Sequence, residues 1–159
     1  MAHPWQQPPI VRQSELILSS FAHWLGHDLI ERSGDALQDA QRLFEAKRVV
    51  VSHGTEGDPI LNYGNCAALT LWEMSFEQLT QTPSRLTAEP LERDERAKLL
   101  ERTARDGYVN DYRGIRISRS GRRFQIEQAI VWNLLDHAGN YAGQAATFAD
   151  FTPLSHTTE

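Results

Sequence analysis

Two histidines four residues apart, a lone cysteine, a few acids and a single amide in an apolar strand are the groups of this chain whose types and spacing could do chemistry. His23 and His27 have the spacing of a helical metal pair. The acid that a metalloprotease helix sets beside its first histidine is absent, so the pair reads as part of a solvated helix face. Cys66 can form no internal disulfide, and it excludes zinc sites of the multi-cysteine type. Asp111 and Glu127 are the acids nearest the predicted sheet, and the pattern forces neither inward. No nucleophile–base–acid constellation, phosphate loop or metal motif is present, so the chain does not read as an enzyme.

Gln128 is more informative. Alternation from Phe124 puts Phe124, Ile126, Gln128, Ile130 and Trp132 on one side of a strand, with Gln125, Glu127, Ala129, Val131 and Asn133 on the other. One amide in an apolar row is how a small-molecule pocket orients its ligand, and equally how a filled core seats an amide against a neighbour. Small residues opposite Gln128 would leave space, and Gly143, Ala145 and Ala146 provide them. Tyr112, Arg113, Ser84 and Arg85 are the further candidates for pocket wall or rim.

The elements that must position these groups follow from pattern and punctuation. Arg113–Ser118, Arg123–Leu135 and Tyr141–Phe148 read as three strands joined through Ser120-Gly121 and Asp136–Asn140, residues that tolerate turn geometry. Val49–Val51 and Ile60–Tyr63 supply two earlier strands. Asn65 caps a helix over Cys66–Trp72 and Ser75 another over Phe76–Leu79. Glu92–Asp106 is a longer helix with acid-first pairs four apart, Glu92 with Arg96, Asp94 with Lys98 and Glu101 with Arg105, closed by Gly107. Before the strands lie two more helices, Ser14–Glu31 and Asp35–Lys47. The expected organisation is a disordered lead over 1–13, a helical extension over 14–48, a domain over 49–151 and a polar tail over 152–159.

A chain of 159 residues can bury one sizeable core. Its net charge of -5, with sixteen Lys and Arg mixed among twenty-one acids, is not that of a protein built to coat nucleic acid. No apolar run approaches the ~20 residues that span a bilayer, and the start lacks the pattern of a leader. The expected setting is cytoplasmic, with neither nucleic acid nor membrane as partner.

Pro59–Leu69, Pro83–Pro90, Tyr112–Ile117, Gly121–Phe124 and Gly143–Phe148 together resemble the bacterial stand-alone MEKHLA domain, over roughly Leu43–Phe148. That family is similar to the PAS sensors. The resemblance implies an α+β PAS-like fold: a five-stranded antiparallel sheet with short helices and one long helix on one face, here with an N-terminal helical extension. It names no ligand, and the cofactor stays unknown. The light-oxygen-voltage (LOV) group of PAS domains forms a flavin adduct through a cysteine followed by arginine, but the matching place holds Ser84 and Arg85. Ile126 stands where that group has an asparagine, and Gln144 is one residue out of step with its glutamine, a shift that turns a strand side chain to the other face. Haem needs an inward axial ligand, and His53 and His137 both fall on turns. Flavin and haem are therefore disfavoured. What the resemblance implies is a sensory or regulatory domain that binds a small molecule and signals by protein–protein contact, as a homodimer or with a partner docked through the N-terminal helix and outer sheet face. A ligand-free dimerisation module is the alternative reading, and a small isomerase-like enzyme a further one.

Overall fold

The computed structural model describes residues 3–87 and 93–154. Helix α1 spans Pro8–Leu25 and α2 Ala36–Glu45, before strands β1 (Val49–His53) and β2 (Leu61–Gly64). Short helices α3 (Cys66–Trp72) and α4 (Phe76–Leu79) lead to a 3-10 turn at Ser84–Thr87 and then to the long helix α5 (Arg93–Asp106). Strands β3 (Tyr108–Ile117), β4 (Arg123–Leu135), β5 (Tyr141–Phe148) and β6 (Asp150–Pro153) complete the chain. The sheet is antiparallel in the order β2-β1-β5-β4-β3. β4 is long enough to serve two neighbours on one edge: Phe124–Glu127 pair with β6, and Ile130–Leu135 with β5. The α+β PAS-like fold is thus present, with β6 as an addition that the sequence pattern did not announce.

Local chemistry explains the boundaries. Pro8 and Pro9 occupy the first helical positions of α1, where a missing N–H costs nothing. The lead expected to be disordered is therefore ordered from Pro4, with Trp5 buried in a 3-10 turn. Gly26, at φ 79°, ends α1 well short of Glu31 and leaves His27 beyond the helix, so His23 and His27 do not share a helical face. Asn65 caps α3 as expected and does more. Its Oδ1 accepts from Ala68 N and Val50 N, while its Nδ2 donates to Leu43 O and Arg48 O, tying α2, β1 and α3 to one buried amide. In α5, Lys98 meets Glu95 rather than Asp94, and Arg105 meets Asp106. The Glu92–Arg96 pair and the tail from Ser155 lie outside the described residues.

Two faces of the sheet are covered by different layers. On the outer face α1 lays Ile17, Leu18 and Phe21 against Val50, Tyr63, Trp132 and Leu134. Phe21 and Trp132 meet edge to face with ring centres 5.0 Å apart. On the inner face Trp72 of α3 packs with Val49, Phe124, Ile126, Ala129 and Phe148. The N-terminal helix thus covers the outer sheet face within its own chain.

β4 does not alternate throughout. Tyr112 pairs with Ala129 and Gly114 with Ile126, so three steps along β4 oppose two along β3. The extra residue is Gln128, at φ 51°. Such a bulge shifts every later side chain to the other face. Gln128 is exposed, not inward; Ile130 and Trp132 face α1; and Ala129, Val131 and Asn133, expected outside, face in.

Two buttresses outside the sheet rest on charge. Arg32 donates to Asp39 at 2.8 Å and to Glu15 at 2.7 Å, which pins the α1–α2 connection. Burial opposes ionisation of Asp39, but hydrogen bonds from Arg32 and from the Ser33 backbone and hydroxyl prevail and hold its carboxyl at about 2. Glu73, in the left-handed position that ends α3, accepts from the hydroxyls of Ser118 and Ser120, then from Ser120 N–H with Arg122 nearby, and is also held at about 2.

Replacing Gln128 by glycine should leave stability unchanged or slightly raised, whereas valine, which resists positive φ, should cost on the order of 1 kcal/mol or more. Urea denaturation ranks the three, and a valine variant as stable as wild type would remove the bulge as a constraint. Folded Asp39 and Glu73 bind fewer protons than in the unfolded chain, where carboxyls titrate near ~4. Their contribution is therefore full above about pH 4.5 and drains away as pH falls toward about 2. Denaturation midpoints between those limits should fall with pH, and the fall should flatten in Asp39→Asn and Glu73→Gln; an unaltered slope in both would refute the assignment.

Candidate functional site

A cavity of about 70 Å³ lies between the inner sheet face and the helical layer. At the ~15 Å³ that one water requires, it has room for roughly five. Its walls are mainly apolar: Val51 of β1, Ile126, Ala129 and Val131 of β4, and Ala146 of β5, roofed by Trp72 of α3 and Leu99 of α5. Polar groups stand at two ends. β-Register places His53, Gln144 and Asn133 side by side at one, and Arg116, opposite Phe124, toward the other.

The amide end is a connected set. Gln144 Nε2 donates to Asn133 Oδ1 at 2.9 Å and to Leu100 O at 3.3 Å. Asn133 Nδ2 donates to Thr103 O at 3.1 Å, so both amides hold α5 by its backbone carbonyls. Gln144 Oε1 accepts no hydrogen bond among the described residues. Behind this set, the Asn133 carbonyl accepts from Trp24 Nε1 of α1 at 2.9 Å. The Trp24 ring also lies against Gly107, where a Cβ would come within 2.5 Å of it. Gly107 is therefore required twice, for its φ of 92° as the cap of α5 and for the ring packed on it. Gly143 has the same double requirement: its φ is 118°, and a Cβ there would sit 2.1 Å from His53 O. That close approach sets Gln144 opposite His53 and Asn133.

Of the residues predicted to bind, Ser84, Tyr112, Ile126 and Ala145 border the cavity. Ala145 also belongs to the cluster under α1. Phe124 packs edge to face on Trp72 and borders a separate outer groove instead. Arg85 is exposed and paired with Asp58, and Arg113 is exposed and paired with Glu127. Gln128, Ile130 and Trp132 leave the inner face for the reason given by the bulge. Asp111 meets Arg102 at 3.0 Å at the surface, so neither acid considered for catalysis lines the cavity.

Sequence reasoning missed Asn133, Arg116, Thr87 and Leu99, and it misplaced Gln144 and His53. His53 is buried rather than on an exposed turn, with Nδ1 2.9 Å from Gly54 O. The available signal was Gly143: a glycine inside a strand marks a bulge or a close backbone approach, which restores Gln144 to the inner face.

The residues present do not fit a flavin or a haem. Ser84, not a thiol, borders the cavity, and Cys66 is exposed beside the outer groove. Room for about five waters is too little for a tricyclic ring or a porphyrin.

Solved structures share this architecture. A PAS domain of a protein from Colwellia psychrerythraea superposes with a TM-score of 0.61 at 15% identity, covering 77% of this chain and 97% of that one. A light-oxygen-voltage domain studied with a flavin analogue gives 0.53 at 19% identity, covering 73% of this chain and 84% of that one. The light-state dimer of the fungal blue-light photoreceptor Vivid gives 0.54 at 13% identity, over 67% and 79%. At these identities the likeness is one of fold. No curated protein matches the chain. A family model described as the MEKHLA domain matches residues 11–153, which takes in most of α1 as well as the sheet and cavity. The match begins at residue 11, inside the stretch read as a disordered lead, and runs through the whole of the one read as a helical extension; this chain belongs to the MEKHLA domain family.

Proposed function

We propose that this protein is a sensory or regulatory domain that holds a small, largely apolar molecule in its cavity and passes the occupied state to another protein through α1. The observation that carries the reading is the position of Asn133. Its side chain joins Gln144 to the backbone of α5, while its carbonyl is gripped by Trp24 of α1. One residue thus connects the cavity, the long helix and the outer layer.

The mechanism is a shift between two arrangements. A ligand that donates to Gln144 Oε1 changes the balance of the hydrogen bonds that Gln144 makes to Asn133 and Leu100. Differential binding of the two arrangements is the only source of such a shift. The affected helix is α1, whose exposed side carries Arg12, Ser19 and His23 and would meet the partner, whether another protein or a second copy. Among the described residues no helix is long and apolar enough to cross a membrane.

Mass spectrometry of molecules released from freshly purified protein should show one compound at near-equal stoichiometry. Its re-addition should change hydrogen exchange in α1 and α5. Gln144→Leu should weaken that binding about tenfold, the worth of one buried hydrogen bond. Trp24→Phe, which removes the indole N–H together with part of the ring that packs on Gly107, should keep the binding while exchange in α1 no longer responds. An empty protein that takes up nothing would support the ligand-free interaction module instead.

A further inference from the structure

Among the described residues Arg116 is the one charged side chain on the cavity wall, and it is nearly buried, at 8% exposure. Among the described residues its only hydrogen bond runs from Nη1 to the carbonyl of the adjacent Ile115, at 3.1 Å. Its Cζ lies 5.2 Å from the centre of the Tyr112 ring. No carboxylate pairs with it among the described residues. Six arginines that are more exposed, Arg32, Arg85, Arg102, Arg105, Arg113 and Arg122, each have a carboxylate within 4 Å. Arg116 is the most buried of the described arginines, so its guanidinium is the one that most needs a counter-charge, and it has none among the described residues.

We infer that the ligand of this cavity is a small carboxylate, and that Arg116 holds its charged end. The inference rests on the cavity being a ligand site. A guanidinium offers donors in a planar fork that matches a carboxylate in two parallel bonds, and Tyr112 fixes the plane of that fork from one face. The apolar body lies against Ile126, Ala129 and Val131. Space for roughly five waters limits that body to a single aromatic ring or a short acyl chain. A nucleotide is excluded on the same ground.

Benzoate and hexanoate, each set against its neutral amide, test this by nitrogen-15 chemical-shift titration at constant ionic strength. In the wild type the two acids should bind at least tenfold more tightly than benzamide and hexanamide, with shifts at the Ala129, Val131 and Ala146 amides. Arg116→Gln should erase the preference and leave acid and amide alike. Arg116→Lys, which keeps the charge but not the fork, should retain part of it and serves where the glutamine variant does not fold. Equal binding of acid and amide by the wild type, with the same cavity shifts, would overturn the charge assignment and leave the cavity as a ligand site. Shifts from the acids confined to residues outside the cavity would also overturn it. If none of the four probes moves a cavity amide, the ligand site itself is lost.

Discussion

The bulge at Gln128 is the constraint on which both faces of the sheet depend. β4 must do two things that a regular strand cannot do together. Its first half gives Phe124 and Ile126 to the inner layer beneath Trp72, and its second half gives Trp132 and Leu134 to the outer layer beneath α1. Phe124 and Trp132 differ by eight positions, an even offset, so regular alternation would put them on one face. One extra residue, accepted at a positive φ, reverses the parity and lets each aromatic reach its own layer. A solvent-exposed glutamine is the tolerable place for that strain.

What the reversal exposes to the interior is small and polar: Ala129, Val131 and Asn133 instead of Gln128, Ile130 and Trp132. A cavity exists because these side chains do not fill the space under α5. Its chemistry is divided. The amide end is internally connected and reaches both α5 and α1, which suits the transmission of a change. The Arg116 end has a charge that no carboxylate of the described residues meets, which suits capture.

α1 converts this arrangement from an open sheet into a closed unit. Its apolar side is buried on the sheet, and Gln13 and Ser20 add polar ties to Ser52 and to the Leu135 backbone. The Arg32–Asp39 pair and the buried Asn65 amide hold α2 and the connections around it. Because the outer face is occupied within the chain, a partner could reach that face of the sheet only by displacing α1. Displacement would uncover Trp132 and Tyr63, which is energetically steep.

The sequence by itself determined the element types and much of the layout. Hairpin residues at Ser120-Gly121 and Asp136–Asn140 marked the meander, Asn65 and Ser75 marked helix starts, and the motif set marked the family, because each of these is a local requirement written in a few neighbouring residues. The tertiary structure alone decided which side of β4 faces the cavity. Nothing in the local pattern of Phe124–Asn133 distinguishes a bulged strand from a regular one; the bulge is chosen by the need of Trp132 to pack on Phe21 and of Phe124 to pack on Trp72, contacts across large chain separations. The same holds for Arg116, whose burial beside Tyr112 arises from how β3, α3 and the Ser84–Thr87 turn close over one another. Spacing along the chain carries no record of that closure.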